Sequence, residues 1–317
     1  MIRRDFLTRL TGGAAAAGLL RGENLWGQAR PKAKHAAAPS GNPKLERISI
    51  STWSVHNYFQ TTREKDFNLP GPMLALLDFP EMIVDKYKVH HFEFCTTHFA
   101  SSEPSYLQEI KSRLTRTHSV IVNMPVDVEE LWDQGGLSDP DKSKRDWAIG
   151  AYKKWIDVAH TLGVKSVRCD PGKMDPEQLE RTAESYKSLV NYAAPKGVHV
   201  IIENHGGVGS EHPEELVKLF KLVGLANVGA LPDMGNFPDE ETRERGLALL
   251  YPYAHVVTHA KGLDIGDDGV EKKYDFPKAI ATSKKAGFKG IYSIEYEGPG
   301  DPYVGIQRTL DELLKYL

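Results

Sequence analysis

Cysteine is scarce. Only Cys95 and Cys169 occur in 317 residues, which excludes a disulfide-dense scaffold and a four-cysteine zinc site. A basic excess is also absent. The 40 lysines and arginines stand against 43 aspartates and glutamates, a formal net charge of −3. That leaves no cationic face for a phosphate backbone and excludes a dedicated nucleic-acid binder. No apolar run reaches the roughly 18 residues that a membrane-spanning helix needs, and mean hydropathy is −0.42. The G-x-G-x-x-G turn of a dinucleotide fold is missing after the first strand-like run. What remains is ordinary globular composition, 40% hydrophobic and 26% charged. The length suits one α/β barrel of roughly 250 residues plus a leader.

The first 29 residues read as a targeting segment. Arg3-Arg4-Asp5-Phe6-Leu7 is a twin-arginine pattern, Thr11 to Leu20 is a mildly apolar Ala/Gly-rich stretch, and Gly27-Gln28-Ala29 offers small residues for cleavage. Residues 30–44 are rich in Ala, Pro, Lys and Gly and read as a linker. Removing residues 1–29 takes away four arginines and two acids, so the mature chain carries −5. The expected location is periplasmic or otherwise exported.

From residue 45 onward, short apolar runs alternate with amphipathic helical patterns. The predicted strands are 47–52, 91–95, 119–123, 165–169, 198–203, 228–231, 255–259 and 290–295. Several are continuous apolar runs, such as Val198-His199-Val200-Ile201-Ile202, which suit parallel strands covered on both faces. One helix is predicted to bury Trp147, Ala151, Trp155, Val158, Ala159 and Leu162. A second is predicted to bury Leu179, Ala183, Tyr186, Leu189, Val190 and Ala193. Gly163, Gly197, Gly224 and Gly287 stand where helices should stop. Eight such pairs predict a single-domain (β/α)8 barrel over residues 45–317. The stretches 61–70, 126–146 and 262–274 are longer than usual connectors and are candidate lids or homo-oligomer contacts.

Barrel enzymes place their chemistry at the C-terminal ends of the strands. Four consecutive predicted strands end in or lead to a metal-type side chain: Glu203, Asp233, His259 and Glu295. One such residue alone is usually a solvated rim group. Four in register, each following an apolar run, read as a site, because a cation offsets the cost of desolvating several carboxylates together. Three carboxylates and one imidazole favour Mn²⁺ or Mg²⁺, with Co²⁺ or Zn²⁺ able to substitute.

The segments Glu203-Asn204-His205-Gly206-Gly207, Pro232-Asp233-Met234-Gly235-Asn236, His259-Ala260-Lys261 and Ser293-Ile294-Glu295-Tyr296-Glu297-Gly298 together resemble the xylose isomerase-like barrel superfamily. They are most similar to its sugar phosphate isomerase/epimerase branch, which includes ketose 3-epimerases, inosose isomerases and inosose dehydratases. The resemblance implies one divalent ion, often manganese, held by Glu203, Asp233, His259 and Glu295. It also implies that Glu203 and Glu295 form the acid/base pair. A cation then stabilises an enediolate while one carboxylate removes the proton next to a carbonyl and the other returns one. His98 lies where that family often places a histidine that contacts substrate or metal. His205 either orients Glu203 or contacts substrate. Lys261 is a candidate donor to a substrate hydroxyl or oxyanion. Arg168, next to Asp170 at the end of the fourth strand, either touches substrate or pairs with that aspartate. Glu297 shares the parity of Glu295, so only depth separates them. One departure stands out: ketose epimerases commonly have histidine where this chain has Asn236, and an amide hydrogen-bonds a hydroxyl but carries no proton at neutral pH.

These residues imply a metal-dependent isomerase or epimerase of a sugar, keto-sugar or cyclitol, with a small carbohydrate as its partner. Phosphorylated sugars are scarce outside the cytoplasm, so the expected substrate is unphosphorylated. The first alternative is a lyase, because an enediolate with a β-leaving group eliminates it. A non-catalytic sugar-binding barrel is the second. A phosphodiesterase of the apurinic-endonuclease type needs three zinc ions and more histidines, and is disfavoured by ligand count and charge.

Overall fold

The computed structural model describes residues 41–68, 71–127 and 135–317. The predicted leader 1–29 and residues 30–40 of the predicted linker lie outside the described residues, as do parts of the stretches 61–70 and 126–146. All eight predicted strands form: β1 (Ile48–Ser51), β2 (His91–Glu93), β3 (Val120–Val126), β4 (Ser166–Cys169), β5 (His199–Glu203), β6 (Val228–Leu231), β7 (Val257–Gly262) and β8 (Ile291–Tyr296). They pair in parallel in the order β6-β5-β4-β3-β2-β1-β8-β7. Between β6 and β7 the ladder is replaced by a short parallel bridge, Asp233 with His259. The His259 amide donates to the Pro232 carbonyl at 3.0 Å and the Met234 amide to the His259 carbonyl at 3.2 Å. The (β/α)8 barrel is thus closed at its C-terminal rim by two of the predicted metal ligands.

The helices that follow the strands include α1 (Phe79–Tyr87), α2 (Pro104–Arg116), α3 (Lys142–Leu162), α4 (Leu179–Ala193), α5 (Gly207–Glu211), α6 (Pro213–Val223), α7 (Glu240–Leu250), α8 (Phe276–Lys285) and α9 (Pro302–Tyr316). Gly163 and Gly224 end α3 and α6 at φ 77° and 63°, a left-handed conformation that costs glycine little. The α4 face is buried as predicted. The α3 face holds in the second half, where Val158 and Ala159 are buried and Trp155 and Leu162 pack against the core, but is rotated by one residue in the first: Ala148 and Tyr152 are buried, whereas Trp147 is exposed. Tyr152 fixes that rotation, because its hydroxyl donates to the Asp170 carbonyl at 3.0 Å.

The apolar run of β5 is divided by strand alternation. Val200 and Ile202 join the main core with helix residues such as Leu216 and Leu219. Ile201, between them, clusters with Leu231 of β6 and Val257 of β7. These three form a small apolar plug inside the barrel. Glu203, Asp233 and His259 each follow their plug residue by two positions. Alternation therefore stacks them on the plug, facing the same interior.

Candidate metal centre

Glu203 ends β5, Asp233 lies two residues beyond β6, His259 is the third residue of β7, and Glu295 is the fifth of β8. One ligand atom from each lies within 4.8 Å of the others, and all four residues are buried. Nδ1 of His259 is the focus. It is 3.0 Å from Glu203 Oε1, 3.2 Å from Asp233 Oδ2 and 3.3 Å from Glu295 Oε2. Donors on opposite sides of an ion at roughly 2.1 Å stand about 4.2 Å apart, so this cluster closes on one divalent ion with small side-chain shifts. Three hard oxygens and one imidazole nitrogen fit such an ion chemically.

Local structure presets each ligand. Asp233 uses Oδ1 to accept from the amides of Gly235 (2.7 Å) and Asn236 (2.9 Å), which leaves Oδ2 facing the cluster. Asn204 clamps the backbone of Asp233, accepting from its amide at 2.8 Å and donating to its carbonyl at 3.0 Å. Asn236 donates to Glu203 Oε1 at 3.2 Å, and Arg168 Nη1 lies 3.1 Å from Glu203 Oε2. Lys261, two residues after His259 and paired in register with Glu295, is buried. Its ammonium lies 2.7 Å from Glu295 Oε2, 3.3 Å from Asp233 Oδ2 and 3.0 Å from Glu297 Oε2.

The charges follow from this packing. Burial favours a neutral imidazole at His259, but the carboxylates of Glu295, Glu93 and Glu203 outweigh it and hold the ring's pKa well above its ordinary value. Burial would raise Glu203, yet His259 and Arg168 hold it at about 2. Glu295 is likewise held well below the carboxylate range, against burial, by His259 and Lys261. Asp233 is raised, because burial there exceeds the help from Lys261. Lys261 remains an ammonium, since Asp233 and Glu295 more than offset its desolvation. In the polypeptide alone, then, imidazolium, ammonium and guanidinium balance the clustered carboxylates.

The remaining predicted residues separate into two groups. His205 is exposed and lies 3.6 Å from Asp170. It lines a cavity of about 340 Å³ that opens beside Glu203, between the loops after β4 and β5, with Asp170, Lys173, Met174 and Gly207. That volume is at the small end of small-molecule sites. His98 is engaged elsewhere. Its ring stacks on Phe59 at 3.9 Å between centroids, and its nitrogens lie 2.9 Å from Thr52 Oγ1 and 3.0 Å from Thr62 Oγ1. Thr62 gives its own proton to the His56 carbonyl, so it accepts from His98 Nε2. The ring is thereby fixed as a neutral wall residue.

Two side chains escape the sequence pattern, Asp127 and Glu93, and a third, Glu297, enters it only as the same-parity rival of Glu295. Asp127 follows β3 and ion-pairs with Arg168. Glu297 accepts from Trp53 Nε1 at 2.6 Å as well as from Lys261. Its depth makes it a tether for Lys261, outside the four-residue cluster. Glu93 touches His259 from the side opposite the cluster.

Comparison with known proteins decides the family. The xylose isomerase-like TIM barrel family model matches residues 83–316. The chain belongs to that family. Curated relatives include an inosose dehydratase of Yersinia enterocolitica, 30% identical over 230 residues, which cover 64% of this chain and 73% of that protein. Another is an inosose dehydratase of Glaesserella parasuis, 27% identical over 191 residues, 55% of this chain and 61% of that protein. The match thus spans about three-fifths of the latter's length. Among solved structures, a D-tagatose 3-epimerase-like protein aligns with a TM-score of 0.64 at 17% identity, covering 85% of this chain and 97% of that one. An IOLI protein with a bound zinc atom aligns with a TM-score of 0.63 at 17% identity, covering 86% and 99%.

Proposed function

We propose that this barrel binds one divalent ion through Glu203, Asp233, His259 and Glu295, and abstracts the proton next to the carbonyl of an unphosphorylated inosose or keto-sugar. The observation that carries the reading is the convergence of three carboxylate oxygens on Nδ1 of one buried histidine, within 4.8 Å. When bound, the ion supplies Lewis-acid polarisation of a substrate oxygen.

The chain's own residues do the rest. Glu203 and Glu295 stand on β5 and β8, on different sides of the cluster, and their lowered pKa values keep both ionised at neutral pH, with lone pairs free to take a proton. One of them takes the proton from the carbon α to the carbonyl, and the C–H electrons form an enolate. Arg168 and Asn236 hold Glu203, and Lys261 holds Glu295, so neither carboxylate must be ordered during the reaction. His205 and the glycine-rich turn after β5 bound the space beside Glu203 in which a sugar-sized substrate fits.

The second half of the reaction is elimination in the reading we favour. The enolate expels the β-hydroxyl, which leaves as water with the abstracted proton, and the product is an enone. The shared name of the curated relatives, inosose dehydratase, supports this outcome. So does Asn236, which cannot carry a proton at the place where ketose epimerases commonly have histidine. Isomerisation or epimerisation shares the first step and differs in returning the proton to carbon. Incubating the Mn²⁺-loaded protein with a panel of inososes and 3-keto-sugars tests the choice. Growth of an ultraviolet enone band supports dehydration. Conversion to an isomer without that band overturns it.

The leader pattern at residues 1–29 supports action outside the cytoplasm.

A further inference from the structure

Beneath the candidate metal centre runs a buried polar chain that the acid/base chemistry does not use. Glu93, on β2, is completely buried. Its Oε1 is 2.8 Å from His259 Nε2, the ring nitrogen that faces away from the three ligand carboxylates. Its Oε2 accepts from Asn123 Nδ2 of β3 at 3.0 Å. Asn123 Oδ1 in turn accepts from Ser166 Oγ of β4 at 2.8 Å. Both Asn123 and Ser166 are fully buried. The chain crosses the barrel interior from β7 through β2 and β3 to β4.

We propose that Glu93 is a positioning residue for His259, keeping Nδ1 aimed at the ion and the ring proton on Nε2. This rests on the metal-binding reading above and adds a residue to it. An ionised carboxylate only accepts, so Glu93 requires a hydrogen on Nε2 and leaves the Nδ1 lone pair for an ion. A carboxylate behind a ligating imidazole also raises its basicity toward the ion. Glu93 is itself held in place: Ser166 donates to the Asn123 amide oxygen, which turns the amide NH2 toward Glu93. The register fixes the pieces: Glu93 pairs with Asn123 across β2 and β3, and β7, three places from β2 in the strand order, brings His259 onto the remaining oxygen.

Glu93→Gln is the informative change. It keeps size and hydrogen-bonding capacity but removes the charge, and its amide can present a hydrogen to Nε2, which would place the ring proton on Nδ1. Zn²⁺ affinity, read by competition with a fluorescent chelator, is expected to weaken by about 10–100-fold. In zinc-loaded protein with ¹⁵N-labelled histidine, the Nε2–H resonance of His259 is expected to lose the downfield shift of a carboxylate-bound proton. Asn123→Ala, which loosens Glu93 from its other side, is expected to weaken Zn²⁺ binding by a smaller factor, and it serves if Glu93→Gln does not fold. A folded Glu93→Gln protein that binds Zn²⁺ within twofold of wild type, with the Nε2–H resonance unmoved, overturns the role of Glu93 alone. Wild-type protein that takes up no Zn²⁺ or Mn²⁺ overturns the metal reading itself, so the two failures are distinguishable.

Discussion

The wedging of His98 between Phe59 and two threonine hydroxyls has a consequence for acid stability. Burial, with a smaller contribution from His56, lowers its pKa from 6.5 to about 3. The folded chain therefore keeps this ring neutral where the unfolded chain protonates it. Between the two values the unfolded state binds more protons, so folding stability falls as pH drops below about 6.5. At pH 5 the unfolded ring is about 1.5 pH units below its own pKa. With about 1.36 kcal/mol per unit, moving from pH 7 to pH 5 costs about 2 kcal/mol through His98. At pH 5 the folded ring is still neutral, so nothing offsets this. Chemical denaturation at the two pH values, on wild type and His98→Asn, measures the effect as a difference of differences. Other titrating groups cancel in that comparison. The variant is expected to be less stable at pH 7, because it loses the stack on Phe59, yet to show about 2 kcal/mol less acid destabilisation. Equal pH 7 to pH 5 losses in both proteins would refute the picture of a buried neutral ring.

The other expectations concern the metal centre and export. An ion bound only by the folded site should add about 2.7 kcal/mol of stability at a free concentration 100 times its Kd, so a chelator should lower Tm and Mn²⁺ should restore it. Glu203→Gln and Glu295→Gln should retain much of the metal affinity and lose at least ~10²-fold in kcat, measured at saturating Mn²⁺. Asp233→Asn and His259→Gln should lower metal occupancy first, as elemental analysis would show, with partial recovery of activity in excess Mn²⁺. Replacing Arg3 and Arg4 with lysine should retain the precursor in the cytoplasm, and fractionation showing normal processing would remove the twin-arginine reading.

Much of the barrel was legible because parallel strands buried on both faces leave apolar runs that the helices between them lack. Where a strand carries a polar residue into the interior, the reading stopped short. The apolar run predicts a third strand ending at Asn123, but β3 continues to Val126, because Asn123 is satisfied inside the barrel by Glu93 and Ser166. The rim residue there is consequently Asp127, the partner of Arg168. The four clustered residues were legible from one rule, a polar residue after each apolar run. Glu93 was not, since it sits between Phe92 and Phe94 and its partner His259 is 166 positions away in the chain. Parity alone could not separate Glu295 from Glu297. The structure does so by placing Glu297 two residues further along, just past the end of β8, where it accepts from Trp53. The one-residue rotation of α3 was hidden for a related reason. Tyr152 outweighs Trp147 as the buried aromatic because its hydroxyl finds the Asp170 carbonyl, a contact that periodicity does not encode.

The central claim is that Glu203 and Glu295, at a divalent-ion centre, move the proton beside a substrate carbonyl. The most direct measurement is hydrogen exchange by ¹H NMR, with an inosose as probe in D₂O, comparing Mn²⁺-treated protein after removal of excess ion with chelated protein. Loss of the α-proton signal, or its appearance as deuterium in product, is expected with the metal-loaded wild type. It should fall by at least ~10²-fold in either glutamine variant. Exchange that proceeds equally in chelated protein, or undiminished in both variants at full metal occupancy, would contradict the account.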